Sequence, residues 1–117
     1  MLTRLAALFG LLSVALGAFG AHVLEGRLTA EGQDWWHTAT LYALPHAAAA
    51  LAIGLAGKGG NLARGGWLIL VGALIFSATL YAMALGAPRW LGAVTPLGGL
   101  GMLAGWALIA LGAVRSP

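Results

Sequence analysis

Long apolar runs alternate with short polar or glycine-rich breaks along this chain. The runs are Leu5–Val23, Thr38–Ala56, Gly66–Gly86 and Gly92–Val114, each 19 to 23 residues long. A helix rises about 1.5 Å per residue and needs about 20 residues to cross the hydrocarbon layer, so each run predicts one membrane span. The breaks fall at 24–37, 57–65 and 87–91, and such short connections set sequential helices antiparallel and adjacent. The expected fold is all-α: a polytopic membrane protein, an antiparallel four-helix transmembrane bundle, with one transmembrane domain over 1–117 and helices at about 5–23, 38–56, 66–86 and 92–114.

Composition excludes water as the surrounding medium. Of 117 residues, 61% are hydrophobic and 8% charged, and the mean hydropathy is +0.92. A soluble domain carries about a quarter charged residues. The pI near 10.2 reflects a net charge of only +3. The six basic residues are spread singly, which excludes the clustered surface that nucleic acid requires. The absence of cysteine removes disulfides, thiolate metal sites and cysteine nucleophiles.

The basic residues instead carry topology. Arg4, Lys58, Arg64 and Arg115 fall on one side of the four-span arrangement, and Arg27 and Arg89 on the other. By the positive-inside rule both termini are expected in the cytoplasm, in a multi-pass plasma (inner) membrane protein. A competing reading takes Arg4, the first apolar run and Gly17-Ala18-Phe19-Gly20-Ala21 as a cleavable signal peptide. The length of the run and its glycines favour a retained helix.

Glycines recur at heptad spacing. Gly10 and Gly17 lie seven apart in the first run, and Gly98, Gly105 and Gly112 do so in the fourth. Gly65, Gly72 and Gly86 fit the same register on or beside the third, and Gly101 and Gly105 form a GxxxG pair. No hydrophobic effect drives helices together in lipid, so close backbone approach has to do it. Helix packing is the expected role of Gly10, Gly17, Gly72, Gly98, Gly101, Gly105 and Gly112; a glycine-lined pore is the alternative.

Polar side chains inside the spans are few and lie to one side. With each run centred on the bilayer, Ser13, His46 and Ser77 share the midplane. His22, Thr38, Tyr42, Thr79, Tyr81 and Thr95 lie toward the outer face, and the inner half is almost wholly apolar. Thr38, Tyr42 and His46 follow i, i+4, i+8 spacing and share one helix face. Pro45 lacks a backbone N–H and frees a carbonyl near Leu41, predicting a bend beside the imidazole. An ionisable residue at this depth suggests a proton relay or a headgroup contact. The structural alternative is a neutral imidazole bonded to Ser13, Ser77 or the freed carbonyl. The candidate polar cluster is His22, Tyr42, His46, Ser77, Thr79, Tyr81 and Thr95.

Metal and hydrolase chemistry fail on spacing. His37 and His46 are nine residues apart on one helix, about 13 Å along its axis, too far to share a tetrahedral zinc with His22. No carboxylate lies within a span to orient His46, and no nucleophile elbow is present. Catalytic, metal and cofactor-binding residues are therefore expected to be none.

Five motifs occur in order: Gly17-Ala-Phe-Gly-Ala-His22, Tyr42-Ala-Leu-Pro-His46, Phe76-Ser-Ala-Thr-Leu-Tyr81, Thr95-Pro-Leu-Gly-Gly99 and Gly105-Trp106. Together they resemble the small membrane protein family known as domain of unknown function 423, over nearly the whole chain. The resemblance implies an uncleaved first helix and four spans, and it implies no reaction. Its matched positions are His22, Tyr42, His46, Ser77, Tyr81, Thr95 and Pro96. The chain departs from the family pattern at Ala78-Thr79, where a glycine-serine pair is usual, and at Pro45, where a bulky residue is usual.

Three functions compete. The leading one is a non-enzymatic membrane module that self-associates or binds a membrane lipid or a membrane-protein partner. The alternative is a small oligomeric channel or transporter using the midplane His, Tyr and Ser cluster, although a conducted ion would meet no partner in the apolar inner half. A lipid- or quinone-directed enzyme using His22 and Tyr42 comes third, because nothing supplies paired carboxylates, metal ligands or a cofactor motif.

Overall fold

The computed structural model describes residues 1–115, with side chains described through 113, so the Arg115 side chain used in the charge count lies outside the described residues. Four helices follow in order: α1 (Leu2–His22), α2 (Ala30–Ala56), α3 (Gly60–Ala84) and α4 (Thr95–Arg115). A short 3-10 helix at Arg89–Ala93 leads into α4. Each of the four is long and apolar enough to cross a membrane.

The helices and the apolar runs differ at their ends, for local reasons. α2 begins eight residues before its apolar run, because Thr29 is extended and its Oγ1 accepts the Gly32 N–H at 3.0 Å. That N-cap, with Glu31 in the first turn, starts the helix in the polar layer. α2 ends at Gly57, whose φ of +67° stops the helix where a side chain would be strained. α3 starts at Gly60 and so makes helical the 60–65 part of the expected loop. Hydropathy marks where the chain enters lipid; caps mark where it starts to coil.

α3 is the central element. It packs on α4 along most of its length, on α2 along much of its own, and only marginally on α1. α2 bridges α1 and α3, and no Cα atoms of α2 and α4 come within 8 Å of each other. The interior is built from small residues. Ala39, Ala43, Ala47 and Ala50 of α2 are buried, together with Ala6 and Phe9 of α1, Ile69, Leu70 and Ala73 of α3, and Met102 of α4. Large aliphatic side chains such as Leu11, Leu12, Leu55, Leu74 and Leu103 point outward, as expected where the solvent is hydrocarbon.

Glycines set the α3–α4 spacing. A Cβ added at Gly72 would lie 2.7 Å from the Gly98 carbonyl oxygen and from the Met102 nitrogen, and one at Gly98 would lie 2.6 Å from the Phe76 nitrogen. Gly65 and Gly105 face each other the same way, Gly101 lies beside Gly72, and Gly112 closes on Leu62. On the other side of the molecule Gly17 meets Thr40, whereas Gly10 has ordinary contact with Ala47. The register also contains Gly86, but with φ +107° it is a turn residue after α3.

Candidate functional site

His46 is buried on α2, and both of its ring nitrogens are engaged. The Trp106 Nε1–H, which can only donate, donates to His46 Nε2 at 3.0 Å. Nδ1 therefore carries the proton and donates to the Tyr42 carbonyl at 2.7 Å. This pairing fixes one neutral tautomer. The Tyr42 carbonyl neighbours the Leu41 carbonyl that Pro45 leaves without its usual helical donor, and α2 runs unbroken through the proline.

The expected partners of His46 are replaced. Ser13 turns its hydroxyl back to the Phe9 carbonyl at 2.7 Å, and Ser77 turns its own to Leu74 at 3.4 Å. Serine in a membrane helix readily bonds its own preceding turn, so both are satisfied without the imidazole. Trp106 is the residue that sequence reasoning missed. Its signal was an indole N–H well inside the fourth apolar run, where hydrocarbon offers no acceptor.

The polar cluster divides into separate sets. In one, Tyr81 and Thr40 share a hydroxyl hydrogen bond of 2.5 Å while Thr40 donates to the Trp36 carbonyl at 3.2 Å, so Tyr81 is the donor to Thr40. Trp36 lies edge-on to Tyr81 with ring centres 4.5 Å apart, and its indole donates to the Leu16 carbonyl of α1 at 2.8 Å. In another set, Thr79 and Thr95 join α3 to the start of α4 through their hydroxyls, 2.6 Å apart. His22 is exposed at the end of α1 and belongs to neither set. Thr40 and Trp36, absent from the expected cluster, hold α1, α2 and α3 together at this level.

Beside His46 the missing α2–α4 contact leaves a lateral groove of about 610 Å³. Tyr42 and His46 form one wall, Phe76 of α3 the floor, and Pro96, Gly99 and Trp106 part of the other wall. The Tyr42 and Phe76 rings are 4.7 Å apart, and His46 meets Trp106 edge-on at 5.8 Å. Tyr42 is 41% exposed. Among the described residues its hydroxyl has no hydrogen-bond partner.

At the end carrying residues 24–37, Arg89 pairs with Glu31 and lies 5.5 Å from the centre of the Trp35 ring. This links the start of α2 to the α3–α4 connection across the surface. Among the described residues no three His, Cys, Asp or Glu side chains converge as metal ligands.

Four apolar helices of membrane-crossing length, with their large aliphatic residues turned outward, define an integral, polytopic membrane protein. The family described as Protein of unknown function (DUF423) matches residues 16–99, and the chain belongs to that family. Its relatives include the UPF0382 membrane protein YwdK of Bacillus subtilis, 40% identical over 116 residues that cover 95% of this chain and 94% of the relative. The UPF0382 inner membrane protein YgdD of Escherichia coli K12 is 40% identical over 113 residues, covering 94% of this chain and 86% of the relative. A UPF0382 membrane protein of Haemophilus influenzae is also 40% identical, over 96% of this chain and 92% of its own length. No solved structure matches the chain.

Proposed function

We propose that this protein is a non-enzymatic membrane module that binds a membrane lipid in the lateral groove between α2 and α4. The groove itself carries the reading. It has the volume of a small-molecule site, mostly apolar and aromatic walls and few polar groups. It opens sideways, so a hydrophobic ligand enters from the bilayer without crossing water. The Tyr42 hydroxyl supplies a hydrogen-bonding group where hydrocarbon supplies none. The channel reading has weaker support, because both nitrogens of His46 are engaged and neither is left to accept or pass on a proton.

Gly99 provides the test. It lines the groove, and a Cβ there would meet nothing within 4 Å. Gly99→Phe should fill the groove without disturbing the backbone. Native mass spectrometry of protein purified in mild detergent should then show wild type with copurified lipid and Gly99→Phe without it, at equal helicity. Equal lipid retention by the two proteins would sink the reading.

We further propose that the end bearing Arg4, Lys58 and Arg64 faces the cytoplasm of the cell that carries the protein, in its inner membrane. The charge count supports this orientation, and the name of the E. coli relative supports the membrane.

A further inference from the structure

The chemistry of the groove beside His46 narrows the class of lipid that it accepts. We propose that its ligand is a quinone: a flat, uncharged ring bearing carbonyl acceptors, carried on a long hydrocarbon tail. This rests on the groove being a lipid site and adds which headgroup the site selects.

Charge is the first criterion. Among the described residues no Lys, Arg, Asp or Glu lines the groove. The imidazole in its wall is neutral, because the Trp106 N–H donates to His46 Nε2 and only Nδ1 carries a proton. A phosphate or ammonium group drawn in would be buried beside no counter-charge, which costs far more than burying a neutral polar group.

Hydrogen bonding is the second. The lining side chains bring three ring nitrogens and one hydroxyl. The nitrogens of His46 and Trp106 are satisfied by each other and by the Tyr42 carbonyl. The Tyr42 hydroxyl remains, without a partner among the described residues. A ligand hydroxyl paired with it one to one leaves one of the two hydrogens unbonded in hydrocarbon. A ligand carbonyl takes the phenol hydrogen and leaves none. Since an unbonded buried donor is destabilising, the site favours a headgroup that only accepts, and disfavours alcohols, amines and amides.

Shape is the third. The Tyr42 ring is held by Phe76, with centres 4.7 Å apart, and by His46, at 6.2 Å and within 20° of parallel. With Trp106 these rings give a flat conjugated headgroup stacking and edge contacts that a flexible acyl ester does not use. Along α4 the groove runs from Pro96 to Trp106, about 15 Å of helix axis, room for a ring and the start of its tail. Esters also only accept, but a quinone is uncharged, acceptor-only and flat at once.

The test compares probes added to delipidated full-length protein and read by native mass spectrometry. Decylplastoquinone and its reduced quinol, held under anaerobic conditions, share one ring and tail and differ in their hydroxyl hydrogens. Wild type should retain the quinone about five-fold better than the quinol, the effect of one unpaired donor. It should also prefer the quinone to dioctanoylglycerol and to dioctanoyl phosphatidylglycerol. Tyr42→Phe keeps the ring and removes the donor. It should weaken quinone retention about five-fold while leaving retention of decylbenzene, which has a ring and tail but no carbonyl, unchanged. Gly99→Phe should abolish quinone retention, with melting profiles checking that both variants fold. Equal retention of quinone and quinol, full quinone retention by Tyr42→Phe, or equal losses of quinone and decylbenzene in that variant would each overturn the proposal. If copurified lipid is lost in Gly99→Phe but wild type prefers the glycerol lipids, the groove remains a lipid site and the quinone assignment alone falls. If neither copurified lipid nor quinone responds to Gly99→Phe, both fall.

Discussion

His46 is held by two hydrogen bonds of opposite sense, and that determines its chemistry. Trp106 can only donate, so the imidazole must accept on Nε2 and donate from Nδ1. Nitrogen-15 magnetic resonance of protein in bicelles should therefore find His46 neutral and protonated on Nδ1 alone. A resonance pattern with the proton on Nε2 would contradict the Trp106 bond. Trp106→Phe keeps a ring in the groove wall and removes the donor. Its cost should be about 0.6 kcal/mol and no more than about 1.7 kcal/mol, the average and upper values for hydrogen bonds between membrane helices, measured by denaturant unfolding in micelles. The same spectrum should show the tautomer preference of His46 relaxed in that variant.

At the level of elements, α3 and α4 are joined by backbone proximity rather than by large interlocking side chains. Adjacent positions separate this effect from helix propensity. Gly98 faces α3, where a Cβ would meet the Phe76 nitrogen at 2.6 Å, whereas Gly99 meets nothing within 4 Å. Gly98→Ala should lose about 1–3 kcal/mol through overpacking. Gly99→Ala should be neutral or slightly stabilising, since alanine is the better helix former. Thermal unfolding of the two variants side by side checks this, and equal melting temperatures would refute the close α3–α4 contact. The expectation of packing by glycine arose from heptad spacing, which selects residues on one helix face. Spacing did not mark Gly20, which faces the Trp36 indole, or Gly54, which faces Thr3. Those positions have no repeat to reveal them, and only the docking of α1 on α2 gives them a role. The alanine stripe Ala39, Ala43, Ala47 and Ala50 was likewise hidden, because every face of a membrane helix is apolar and hydropathy does not distinguish the buried one.

For the whole molecule, four crossings return the chain to the side on which it began. If the basic end faces the cytoplasm, green fluorescent protein fused after residue 117 should fluoresce in cells, and alkaline phosphatase at the same place should be inactive. An active phosphatase would reverse the orientation. The Arg89–Glu31 pair tethers the opposite end, but it is exposed at both partners. Arg89→Ala should therefore shift stability by less than about 1 kcal/mol, read in the same unfolding assay.

The order of apolar runs by itself determined that this is a four-span membrane protein, because length and hydropathy respond to the bilayer, a solvent common to every such chain. It also located an ionisable side chain, His46, within the second apolar run. The partner of His46 was decided by tertiary structure, since Trp106 is sixty residues away and reaches the imidazole only because α3 holds α2 and α4 apart at one spacing. The same separation opens the groove. A cavity is the space left between elements, and its shape is set by how closely glycines and alanines let the helices approach.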